Sequence, residues 1–186
     1  PRTQAVYAAT SPDGKVYRIS PDGKAAEFFK PATKYIWSLA FGRDGTLYVG
    51  TGFVGTGEGG KIFRVDRAGK GELYFDTHQG HVTSLAVEAS GALLAGTDPN
   101  GILYRVTAKD KAFVLYDSLL PEIRAIEVAS DGMIYAAAMG GAVSRLSQPG
   151  TTVSAADLVV SPVVQSVTVT AAEQQGGPQL PRPAAE

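Results

Sequence analysis

No cysteine occurs anywhere in the 186 residues. That excludes a disulfide framework, thiolate chemistry and any cysteine-ligated zinc. An excess of charge of one sign is missing too: 17 Lys and Arg stand against 18 Asp and Glu, a formal net charge of −1. Such a balance gives no electrostatic basis for binding nucleic acid or an anionic membrane. The apolar runs are far too short to cross a bilayer as a helix, so membrane insertion is not expected. No window repeats its apolar residues every 3.6 positions, so helices are not expected either. The chain opens at Pro1 with no Met and no signal-like segment. The expectation is an excised or mature piece, for which a missing targeting signal is uninformative about compartment.

What the sequence does contain is short β-prone runs between glycine-bearing turns. Hydrophobic residues make up 44% and charged residues 19%, enough for a genuine core. SPDGK occurs twice, at 11–15 and 20–24, on either side of VYRI. Pro sets φ, Asp bonds its own backbone and Gly accepts positive φ, so each copy reads as a reversal. The run between them recurs as KVYRI (15–19), KIFRV (61–65), ILYRV (102–106) and AVSRL (142–146). Each carries an arginine, Arg18, Arg64, Arg105 and Arg145, at intervals of 46, 41 and 40 residues.

Three further templates keep step with it. Upstream are AVYAAT (5–10), TLYVGT (46–51), ALLAGT (92–97) and MIYAAA (133–138). Downstream are AAEFF (25–29), ELYFD (72–76), AFVLY (112–116) and a weak TVSAADL (152–158). Last come IWSLAF (36–41), VTSLAV (82–87), IRAIEV (123–128) and VQSVTV (164–169). Four strands, here called b, c, d and a, therefore repeat about every 40 residues, the signature of a β-propeller blade. The expected fold is all-β: about four four-stranded blades across 1–170, in units near 5–41, 46–87, 92–128 and 133–169. The chain reads as a fragment of a larger propeller. Residues 171–186, rich in Pro, Gly and Gln, read as a linker or disordered tail. Consecutive apolar residues in strand b, such as Leu47, Tyr48 and Val49, indicate sheets covered on both faces.

SPDGKVYRISPDG, DGTLYVGTG, GGKIFRVDRAGKG and SGALLAGTDPNGILYRV resemble NHL-type and two-component-regulator-type propeller repeats. They are also similar to uncharacterised bacterial propeller proteins from secreted contexts. The Trp-Asp dipeptide of WD repeats is absent. The resemblance, over about 1–170, implies a propeller and, weakly, an extracytoplasmic setting, periplasmic or secreted. Proteins of this kind include lactonases and streptogramin lyases, whose chemistry uses a divalent metal or a His/Glu set at the axis. Those sets do not map onto positions here, and a fold alone confers no activity.

Two motifs invite other readings. GTGEGGK (55–61) matches both the G-x-x-x-x-G-K and the G-x-G-x-x-G patterns. Both patterns hold phosphate only where a helix N-terminus follows the loop, and KIFRV is a strand template. DTHQGH (76–81) holds both histidines of the chain, but a metal site needs three or four ligands in defined geometry. No metal and no cofactor is expected. The four strand-c arginines are expected to lie along their blades, heads in water or paired with acids, rather than to ring the axis.

The candidate ligand-binding residues follow from topology. In a propeller the d–a and b–c loops share one face, and binding residues concentrate on loops over a rigid scaffold. Equivalent positions early in strand a hold Trp37, Thr83, Arg124 and Gln165, beside the small Ser38, Ser84, Ala125 and Ser166. Two positions earlier stand Tyr35, His81 and Glu122. The b–c loops contribute Glu58, Asp98 and Asn100. The function expected is a non-catalytic module presenting these loops to a small molecule, glycan or protein. The alternative is a hydrolase or lyase of the lactonase or streptogramin-lyase kind, with axial acids and histidines supplied partly by blades outside this chain.

Overall fold

A computed structural model describes residues 4–53 and 59–140, all within one unit, Pro1–Pro149. Among the described residues every regular element is a β-strand. The first sheet is β1 (Val6–Ala9), β2 (Val16–Ile19) and β3 (Ala25–Phe29), in that order. Next come β4 (Tyr35–Phe41), β5 (Leu47–Gly52), β6 (Lys61–Val65) and β7 (Gly71–Asp76), then β8 (His81–Val87), β9 (Leu93–Asp98), β10 (Ile102–Ala108) and β11 (Lys111–Asp117). β12 (Glu122–Val128) pairs with β13 (Ile134–Met139). Each strand pairs antiparallel with its sequence neighbour inside its sheet. One bridge, Gly52↔His81, links the second sheet to the third. These are blades of a partial β-propeller: three strands, four, four and two. The expected strands at 142–146, 152–158 and 164–169, and the expected tail at 171–186, lie outside the described residues.

The turns explain why the repeat was readable. Gly23, Gly45, Gly69, Gly91 and Gly132 each close a four-residue turn by an N–H bond to the carbonyl three residues back. All five have φ between 82° and 89°, where a side chain would be strained. The two SPDGK words differ in geometry. In the c–d turn Gly23 bonds Ser20 at 2.9 Å. In the b–c turn Gly14 has φ of 60°, and a Cβ there would sit 1.9 Å from the Thr33 carbonyl oxygen. Tertiary surroundings, not the five residues, choose the turn.

The core lies between successive sheets. Val16, Ile36, Leu47, Val49 and Val65 form one cluster between the first two. Tyr48, Ile62, Tyr74, Val82, Leu93, Ala95 and Val106 form another between the second and third. β5 is buried along its whole length, and β9 along all but its last residue. Each fully buried Leu or Val contributes roughly 1.5–3 kcal/mol of transfer free energy, available only because the next sheet covers that face. Hydrogen bonds fix the stacking. Ser38 Oγ donates to the Val82 carbonyl at 3.0 Å and Ser84 Oγ to the Ile123 carbonyl at 3.0 Å. Ser38 and Ser84 are therefore inter-sheet staples. In the second and third sheets a threonine near the end of strand b ties it to strand c: Thr51 and Thr97 donate to the carbonyls of Lys61 and Ile102 and accept their N–H groups.

Candidate functional site

The described inner strands β4, β8 and β12 carry the same irregularity. Ile36 pairs with Thr51 and Ser38 with Gly50, which leaves Trp37 as an extra residue. Val82 pairs with Thr97 and Ser84 with Gly96, leaving Thr83. Ile123 pairs with Ala138 and Ala125 with Ala137, leaving Arg124. Each is a β-bulge, a device that re-aims a side chain and is enriched beside functional sites. The buried neighbours Ile36, Val82 and Ile123 face the core, while Trp37 and Arg124 are exposed. Positions that look variable in sequence are thus the residues freed from the sheet's in–out alternation.

Trp37 is 46% exposed. The Tyr35 ring stacks on it, centroids 5.9 Å apart and planes 10° apart. Its indole Nε1–H donates to His81 Nδ1 over 3.1 Å, across the joint between the second and third sheets. The His81 ring meets it edge-on at 88°. Because Nδ1 accepts, the imidazole hydrogen sits on Nε2, which lies 3.8 Å from the Asp98 carboxylate. Gly52 opposite them has no alternative: a Cβ there would lie 2.2 Å from both the indole and imidazole nitrogens.

The remaining candidates complete an arc along the same edge. Burial pushes the Asp98 carboxyl above its ordinary value; His81 pulls it back, and the charge of Glu122 pushes it further up. Glu122 pairs with Arg124 at 2.9 Å. Asn100 Nδ2 donates to Gln79 Oε1 at 2.7 Å. The Thr83 hydroxyl is committed to backbone, 2.6 Å from the Ile123 carbonyl oxygen and 3.1 Å from that of Gly96. The structure therefore brings Tyr35, Trp37, His81 and Asp98 into one contiguous set, with Glu122 and Arg124 beside it. Gln165 and Glu58 lie outside the described residues. Gln79, which orients Asn100, was missed because nothing marks one polar residue of a polar loop.

Gly59 and Gly60 lead directly into strand β6, so no helix N-terminus follows them. His78 approaches Asp76 at 3.7 Å while His81 turns to Trp37. Among the described residues no three His, Asp or Glu side chains are grouped to hold a metal ion. Arg64 and Arg105 reach acids of the a–b turns, Asp44 at 4.0 Å and Glu88 at 2.7 Å.

No protein-family model matches the chain, and no curated protein matches it significantly. Solved structures do. Catalytically inactive virginiamycin B lyase from Staphylococcus aureus, with quinupristin, superposes with a TM-score of 0.59 at 17% identity, over 72% of this chain and 45% of that one. A streptogramin B lyase gives 0.60 at 19% identity, over 72% and 44%. The extracellular domain of a hybrid two-component system from B. thetaiotaomicron gives 0.57 at 20%, over 72% and 19%. At such identities the likeness concerns the fold. The chain spans less than half the length of both lyases.

Proposed function

We propose that this chain is a non-catalytic binding module. It takes a small molecule, glycan or protein at the face formed by the starts of β4, β8 and β12 and the end of β9, with the Trp37 indole as anchor. The observation that carries this is the bulge at Trp37, which holds an aromatic ring out in solvent. Tyr35 backs that ring and His81 fixes its N–H. A ring held this way loses little entropy on binding, and amphipathic rings dominate recognition sites. An extracytoplasmic setting is part of the proposal, supported by the likeness to the extracellular domain of a hybrid two-component system. The second reading is a hydrolase or lyase completed by further blades. What favours it is the approach of His81 to Asp98 at 3.8 Å, with Glu122 close enough to influence Asp98. The test is a thermal-shift screen of the full chain against metabolites and glycans. A ligand that raises the Tm of wild type but not of Trp37→Ala supports the module. Ligands that stabilise both proteins equally would place binding elsewhere.

A further inference from the structure

A cavity of about 400 Å³ opens where the segment leading into β4 meets the β5–β6 end of the second sheet. Tyr35, Phe53 and Phe63 give it aromatic walls. Phe53 is 47% exposed, an uncovered ring. The repeat also marks it: Phe53 occupies the place held by Pro12, Pro99 and Gly140 in the other b–c connections. Turn grammar therefore does not account for an aromatic residue there. Phe63 is braced from the other side by Phe29, centroids 5.7 Å apart. Thr51 belongs to the floor, its hydroxyl tied to the carbonyls of Gly59 and Lys61.

Charge distinguishes this cavity from the Trp37 arc. Lys34 and Lys61 line it, and among the described lining residues there is no acid. Lys61 does have a partner, Asp76, but at 3.6 Å and with its side chain 40% exposed the pairing is loose. Such an exposed pair contributes little and gives way readily. Sites for small molecules run from roughly 300 to 1,000 Å³, mostly apolar with a few placed polar groups. This one is at the small end, with three rings and two ammonium groups.

We infer that the cavity is a second binding site, for a compact planar apolar molecule bearing an anionic group such as a carboxylate. The ring lies against Phe53 and Phe63 and the anion meets Lys34 and Lys61. The site is distinct from the Trp37 face, although Tyr35 borders both. Isothermal titration of the full chain with naphthoate, and with uncharged naphthalenemethanol, tests it. Naphthoate is expected to bind saturably and at least about tenfold more tightly than the alcohol, the difference one charge-assisted contact makes. The Lys34→Met/Lys61→Met double variant is expected to lose that preference and Phe53→Ala to weaken both ligands. Arg124→Ala, at the face proposed above but paired with Glu122 and not lining the cavity, is expected to leave naphthoate binding unchanged, which separates this site from that one. Absence of saturable naphthoate binding, equal affinity for the two ligands, or a preference that survives the double lysine substitution would overturn the inference. Should the double variant not fold, the naphthoate-to-alcohol ratio on wild type, and its decline with added salt, decide the matter alone.

Discussion

Asp98 illustrates how little of a site is visible one residue at a time. In sequence it is the first residue of a good turn, Asp98-Pro99-Asn100-Gly101. In the fold it is half-buried, opposite His81 and within the field of Glu122. Burial raises its carboxyl above the ordinary 3.8, so the folded state holds that proton more tightly than the unfolded chain does. Its contribution to stability is therefore complete below the ordinary value and is lost as pH climbs through the folded one. Asp98→Asn removes that dependence. The Tm of the variant relative to wild type should rise as pH goes from below 3.8 to neutrality. A difference that is flat or falls with pH would contradict the burial argument. The Trp37–His81 contact was likewise hidden, because its partners lie 44 residues apart. No local pattern links them; only the registration of two blades does.

At the scale of the element, the strands were legible because five of the turns that end them demand glycine at positive φ. Observed bounds fall within a residue or two of the sequence templates; strand c, for example, was expected at 61–65 and is found at Lys61–Val65. The bulges were not legible, since an extra residue in an inner strand has no residue-type signature. Their trace is indirect: a small residue must follow Trp37 and Thr83 to reach the next blade, and Ser38 and Ser84 do. The glycine opposite is just as constrained. A Cβ on Gly96 would lie 2.4 Å from Ser84 Oγ and 2.6 Å from Ile123 Cγ2, and Ile123 is fully buried. Gly96→Ala is therefore expected to destabilise by about 1–3 kcal/mol through overpacking, read from urea denaturation. Unchanged stability would mean that the sheets are not packed as described.

For the whole molecule, one comparison of strands explains why blades must follow one another. β5 and β9 share a template with β13, and both are shielded by sheets on either side. In β13, Tyr135 is 54% exposed and Met139 is 55% exposed. A strand apolar on both faces is stable only where neighbours cover it. The sequence showed this architecture because the oily faces recur at blade spacing. The proposed face was not legible, because it is assembled from single residues of different blades. Trp37 is the only tryptophan, so the full chain should show one indole N–H signal in a nitrogen–proton NMR spectrum. The decisive measurement follows that signal, together with the amides of Gly69 and Gly132 in the turns of the opposite face, while a stabilising ligand is added. The account predicts that the indole signal moves and the two turn amides stay in place; movement of the turn amides with a stationary indole would contradict it.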